Sequence, residues 1–382
     1  MESGVGSDPP EADEGPDRSG ARAGTAGPVE LLRRAAGLVL ARPWRALLWG
    51  SLVLVPVDIV ARLLGVGDVS LFLLSVLALI PLAWVIGEAT EQVGEYTGPA
   101  IAGLLNASFG NAPELIIALF AIGEGLFDVV RGSLAGSVIG NLLLVLGCSL
   151  AAGGRGLLAR RSAYSALGMV AAAILLFGLA SATSAPGESG TSVVAIAVAV
   201  LLFATYVAVT VRSVRRERRQ HRESGEAGEP AWRLSRAVIV LGLATLATVA
   251  VSEVLTSTIE SFGDAVGFSD IFVAAVIVAI AGNAAEHGGA VVIAARGNIR
   301  LASEIGLQSA SQVATGLIPA VVLLSLLINP LPLVFSPVEF AGLIVATLVP
   351  AALFVRGRSS RWHGAALCTA YAAVGAAFLV YS

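Results

Sequence analysis

The chain has 382 residues, is 56% hydrophobic and only 13% charged, and carries a formal net charge of −3. A soluble domain of this length would have about a quarter of its residues charged. The composition therefore excludes a globular protein in water and points to a chain whose partner is the lipid bilayer, with no nucleic acid expected.

In chain order, residues 1–28 place Glu2, Asp8, Glu11, Asp13, Glu14 and Asp17 among Gly, Pro and Ser. Such a segment buries no core and reads as a disordered tail. It is acidic and has no apolar stretch before a cleavage site, so it does not read as a secretory signal. Residues 29–68 hold a first hydrophobic span at 46–65, interrupted by Asp58 and Arg62. Ten more spans are predicted at 69–91, 99–126, 132–154, 162–184, 191–211, 236–258, 269–295, 301–328, 332–355 and 362–381. Val69 to Ile86, Ser162 to Ala185 and Thr191 to Val211 contain no charge. Each can cross about 30 Å of hydrocarbon as a helix. The expected fold is an all-α integral membrane protein of about eleven transmembrane helices.

All 24 basic residues are Arg, which excludes any chemistry that needs a lysine. If the eleven spans alternate sides, all but Arg62 and Arg131 fall on the side of the N-terminus. The positive-inside rule then predicts a cytoplasmic N-terminus and an outer C-terminus. With no organelle signal evident, the expected location is the plasma membrane. Cys148 and Cys368 lie in apolar runs and read as small buried hydrophobes. Two cysteines isolated along the chain, with three histidines, argue against a Cys/His metal site.

The polar stretch 212–235 opens with Arg212, Arg215, Arg216, Arg218, Arg219 and Arg222 and divides the chain into 69–211 and 236–382. Each block has five predicted spans, so the two must lie upside down relative to one another, an arrangement shared by many secondary transporters. Gly110-Asn111-Ala112-Pro113-Glu114 in the first block recurs as Gly282-Asn283-Ala284-Ala285-Glu286 in the second. Gly lets a helix break where backbone must face a cavity. Asn111 and Asn283 suit the N-cap of the half-helix that follows, and Pro113 suits its first turn. Glu114 and Glu286 then lie where the positive end of a half-helix favours a carboxylate. A charge at a span centre costs about 2.5–3.5 kcal/mol on insertion scales. Two in mirrored positions therefore read as a functional site rather than packing.

Two carboxylates meeting at the midplane can neutralise a divalent cation, and Glu, Asn and backbone oxygens are hard ligands suited to Ca²⁺. Without metal, two close acids in a poorly solvated cavity take up protons. Cation and protons then compete for one site, as exchange requires. The next span of each block carries Ser137 and Asn141, or Gln308, Ser309 and Gln312. The i, i+4 pairs share one helix face and are further candidates for cation or cavity contacts; the alternative is hydrogen bonding between helices. Glu88, Glu91 and Glu253 are candidates for proton relay or cation entry, as is His287, whose charge changes near neutral pH. Glu124, Asp128, Asp264 and Asp270 make the non-cytoplasmic mouth acidic and can concentrate cations there.

These residues resemble the Ca²⁺/H⁺ exchanger (CAX) family of the calcium/cation antiporter superfamily. The likeness rests on Gly-Asn-Ala-Pro-Glu-Leu-Ile at 110–116, Gly-Asn-Ala-Ala-Glu-His at 282–287, Gly-Ser-x-x-Gly-Asn at 136–141, Ala-Thr-Glu at 89–91 and Ser-Glu at 252–253. It implies a Ca²⁺/H⁺ antiporter working by alternating access, with Glu114 and Glu286 as carriers, Ca²⁺ and H⁺ as substrates and no cofactor. Related sodium/calcium exchangers read Gly-Thr-Ser-x-Pro-Glu, so Asn and Ala favour proton over sodium coupling. Pro113 departs toward that sodium branch, which leaves open an exchanger of Mn²⁺, Na⁺ or K⁺, or a Na⁺/Ca²⁺ exchanger. A channel is a further alternative. His-Glu-x-x-His and Gly-x-Ser-x-Gly are both absent, so no enzyme is expected.

Overall fold

In hydrocarbon every backbone N–H and C=O must be bonded within its own segment, so long apolar runs fold as helices. The computed structural model describes residues 45–97, 105, 108–183, 190–224 and 231–381. Among these, nine helices are long and apolar enough to cross a membrane, and ten if the bent pair around Gly282 is one span. The helices are α1 (Arg45–Leu63), α2 (Asp68–Thr97), the shorter α3 (Ala112–Glu124), α4 (Phe127–Gly153), α5 (Arg160–Thr183) and α6 (Val193–Ser224). They continue with α7 (Leu234–Val266), α8 (Asp270–Gly282), α9 (Ala284–Ala295), α10 (Ile299–Ser325), α11 (Pro337–Leu353) and α12 (Arg361–Tyr381). Of the expected span 99–126, α3 is the described helix; 98–104, 106 and 107 lie outside the described residues, as does the expected tail 1–28.

The expected count of eleven spans is not reached among the described residues, and one further expectation changes. α6 runs on as a helix to Ser224, so the first half of the expected linker is helical rather than a loop. Arg, Glu and Gln are good helix formers, and no Gly or Pro interrupts them before Gly225. The first span also holds together despite its charge. Asp58 is fully buried against α2, where its Oδ1 accepts a 2.9 Å hydrogen bond from Ser75.

Helices in lipid gain little from hiding apolar surface against one another, so close packing and polar bonds hold them. α2 and α7 form the most extensive helix pair. Phe72 stacks on Phe262 at 4.2 Å, and Ser261 donates to Asp68 at 3.0 Å. At the opposite ends of these helices, Tyr96 donates to the Trp232 carbonyl, and Trp232 N–H donates to Gln92 Oε1 at 2.9 Å. Gly136 of α4 lets α8 approach so closely that a Cβ there would collide with the Ala275 backbone.

α4, α8 and α10 each widen into a π-helical segment, at Gly140–Val145, Val273–Val278 and Val313–Leu317. Such bulges concentrate at functional sites. An antiparallel two-residue ribbon joins Gly156–Leu157 to Arg358–Ser359. Beneath it lies a correction: Cys148 and Cys368, far apart in sequence, are neighbours, with sulfurs 3.9 Å apart, and both are half-buried rather than core residues.

Candidate functional site

Both motifs start a helix where expected, and the second breaks one. The Asn111 backbone leaves helical geometry at φ −103°, and α3 starts at Ala112 with Pro113 in its first turn. Asn283 does the same at φ −91°, and the helices on either side of the second break differ in direction by 60°. Glu114 and Glu286 each fall in the first turn of the following helix.

The Asn side chains, however, do not cap these helices. Asn283 donates to Ser137 Oγ at 2.9 Å and to the Ala279 carbonyl at 2.9 Å. Its Oδ1 accepts from Asn141 Nδ2 at 3.3 Å, and the same nitrogen reaches Ser309 Oγ at 3.0 Å. Ser309 in turn lies within electrostatic reach of Glu286. A polar chain thus runs from Ser137 through Asn283 and Asn141 to Ser309, beside Glu286, crossing between the two blocks. For Asn283, lateral bonds outcompete capping because the side chain is buried among helices, where an unpaired amide N–H is expensive.

The two motifs meet directly. Glu114 lies over Gly282, whose missing Cβ would stand 3.3 Å from Glu114 Cγ, and its charge interacts with that of Glu286. Glu114 is buried and Glu286 half-buried. Four acceptor oxygens here are buried without a protein partner: Asn111 Oδ1, Glu114 Oε2, Asn141 Oδ1 and Glu286 Oε2. Buried polar atoms are nearly always bonded. Such leftover carboxylate and amide oxygens are of the hard type that suits a hard cation. Among the described residues no group of three His, Cys, Asp or Glu could hold a metal. The unpartnered acceptors here are those of two carboxylates and two amides.

Other expected residues are placed as follows. Gly110 is half-buried in the turn before α3. Gln312 and Asn111 both line a cavity of about 260 Å³ with Ser108, Phe203, Tyr206 and Thr210. Gln308 is exposed and takes no part in the polar chain; its neighbour Ser309 does so instead. His287 faces Gly140 at the start of the α4 bulge, and its Nε2 is buried without a partner. Glu91 and Glu253 are exposed and Glu88 half-buried. Glu253 lies in electrostatic reach of Glu124, which accepts from Thr256 at 3.2 Å, and Glu260 is also near. Asp270 is close to Glu260, Asp264 and Asp128, so the expected acidic mouth is assembled.

Sequence reasoning missed Thr90 and Ser252. Both are buried, and both hydroxyls lack a protein partner. Thr90 is on α2, which packs on α9, and Ser252 is on α7, which packs on α3, so each flanks one motif. A hydroxyl directly before a Glu, at Thr90-Glu91 and again at Ser252-Glu253, was the available signal.

A family model described as sodium/calcium exchanger protein matches residues 68–215 and again 236–380. The chain is 35% identical over 340 residues to the Ca²⁺/H⁺ antiporter ChaA of Bacillus subtilis (strain 168), covering 85% of this chain and 96% of that protein. It is 36% identical over 352 residues to vacuolar cation/proton exchanger 1a of Oryza sativa subsp. japonica, covering 85% and 78%. The crystal structure of the Ca²⁺/H⁺ antiporter protein YfkE superposes with a TM-score of 0.74 at 31% identity, over 89% of this chain and 99% of that one.

Proposed function

Because the chain belongs to the sodium/calcium exchanger protein family, we propose that it is a secondary active Ca²⁺/H⁺ antiporter that exports Ca²⁺ in exchange for protons. The observation that carries the reading is the set of four unpartnered buried oxygens on Asn111, Glu114, Asn141 and Glu286. Ca²⁺ binds there as substrate: the two carboxylates balance its charge and the amide oxygens replace part of its water shell. When it leaves, two carboxylates this close cannot both stay ionised in a poorly solvated site, and protons take its place. One site that holds either cargo, opened alternately to each side, exchanges them.

The two blocks 69–211 and 236–382 form inverted halves around this site, with 29–68 adding the first helix, 212–235 the basic linker and 1–28 a cytoplasmic tail. The distribution of arginines supports a cytoplasmic N-terminus and an outer C-terminus. We place the protein in the plasma membrane, where the acidic mouth around Asp128, Glu253, Glu260 and Asp270 faces outward. Glu88 and Glu91 lie toward the other end of the path, and His287 serves proton transfer beside Glu286.

The test is radioactive Ca²⁺ uptake into inverted membrane vesicles under an imposed pH gradient. Uptake should follow the pH gradient and collapse with a protonophore. Uptake that ignores the pH gradient but follows a sodium gradient would replace the proton with Na⁺, the coupling used by the branch that shares Pro113. Competition by Mn²⁺, Na⁺ and K⁺ in the same vesicles sets the selectivity, and single-channel currents would mark a channel instead.

A further inference from the structure

The thiols of Cys148 and Cys368 have no part in the cation site, yet they stand 3.9 Å apart on α4 and α12. They are the only two cysteines in the chain, and both are free and half-buried. The helices meet here at glycine. A Cβ on Gly364 would collide with the Gly147 carbonyl and the Ala151 amide, and one on Gly147 would stand 2.7 Å from Cys368 Sγ. The backbones are therefore as close as two helices come, and a disulfide needs Cβ atoms about 3.5–4.5 Å apart. With the sulfurs 3.9 Å apart, bonding calls for them to close by about 2 Å. Each thiol lies within two turns of a helix end, Gly153 for α4 and Arg361 for α12. That depth is about 10 Å or less, within reach of a small uncharged oxidant from the arginine-rich side.

We propose that Cys148 and Cys368 form a redox-active dithiol that peroxide converts to a disulfide joining α4 to α12. One Sγ attacks the peroxide O–O bond, giving a sulfenic acid and releasing one water. The second thiol then displaces the sulfenic oxygen as a second water. Two S–H bonds break and one S–S bond forms; two electrons and two protons pass to the peroxide, which becomes two waters. A thiol reductant reverses the step. Because the cysteines lie on opposite sides of the Arg-rich segment, the bond covalently joins the two halves of the chain.

That position supplies the test. Full-length protein in detergent is treated with hydrogen peroxide or with reductant and then cut by limited trypsin at Arg215 to Arg222. On a denaturing gel the reduced sample separates into two halves. The oxidised sample should stay at full-length mobility until reductant is added, and its titratable thiols should fall from two per chain to near zero. Cys148→Ser and Cys368→Ser should each leave the halves separable after peroxide. The proposal is overturned if the oxidised wild-type halves separate, if the bond forms between chains as a dimer, or if either Ser variant still holds its halves together.

Discussion

The two Gly-Asn-Ala-x-Glu motifs share backbone geometry but differ in how their side chains are used. In the second, Asn283 is saturated: it bonds Ser137, Ala279 and Asn141. In the first, Asn111 Oδ1 is buried with no partner, and Glu114 lies over Gly282. Each glutamate keeps one buried oxygen without a partner, so the difference lies in the asparagines: one is tied into the framework and the other is left with an acceptor to spare. A symmetric pair of motifs has become a clamp with a fixed jaw and an adjustable one. Under the proposed function both glutamates carry the cargo, and their neighbours should not contribute equally.

The largest effect tests what the motifs share. Glu114→Gln and Glu286→Gln should each abolish pH-driven Ca²⁺ uptake, to less than about one hundredth of wild type, because a neutral amide can neither balance the cation nor exchange a proton. Retained exchange in either variant would break the two-carboxylate site. The next pair tests where the motifs differ. Asn283→Ala strips Ser137 and Asn141 of a buried partner and should destabilise the fold by about 1–3 kcal/mol, seen as a lower melting temperature in detergent, with loss of transport. Asn111→Ala should leave the melting temperature unchanged and raise the apparent KM for Ca²⁺ several-fold. If the two variants melt alike, the fixed and adjustable jaws are not distinct.

Much of this was legible in the letters. Nine or ten of the eleven expected spans, and the helix starts at Asn111 and Asn283, follow from hydropathy and from a repeated five-residue word, since both express needs of backbone in lipid. The use of the Asn side chains was not legible. N-capping propensity describes a helix end in isolation, while Asn283 answers to Ser137 and Asn141, which tertiary packing brings beside it. Thr90 and Ser252 were overshadowed by Glu91 and Glu253, because charge draws attention in an apolar span; the structure buries the hydroxyls and exposes the acids. The proximity of Cys148 to Cys368 had no sequence signal, for it rests on which helices touch.

A smaller effect probes the contact between the jaws. Gly282→Ala would set a Cβ 3.3 Å from Glu114 Cγ, which obliges Glu114 to shift by a few tenths of an ångström. Expression should be normal, and Ca²⁺ affinity should fall a few-fold. Gly288→Ala, where nothing lies within 4 Å, should behave as wild type. Equal behaviour of these two variants would mean that Glu114 does not work from its place over Gly282.

The smallest expected effect separates two neighbours on α10. Helical spacing alone favours Gln308, which shares a face with Gln312; the structure leaves it exposed and puts Ser309 in the polar chain. Ser309→Ala removes one hydroxyl that bonds Asn141 and lies within electrostatic reach of Glu286, so the fixed jaw loses a brace but keeps its carboxylate. Uptake at saturating Ca²⁺ should stay within about twofold of wild type, and the apparent KM should rise about two- to threefold, in line with one lost hydrogen bond of about 0.5–1.5 kcal/mol partly made good by water. Gln308→Ala should change neither. A larger effect at Gln308 than at Ser309 would restore the face that spacing alone selects and would mean that the polar chain is not what braces the fixed jaw.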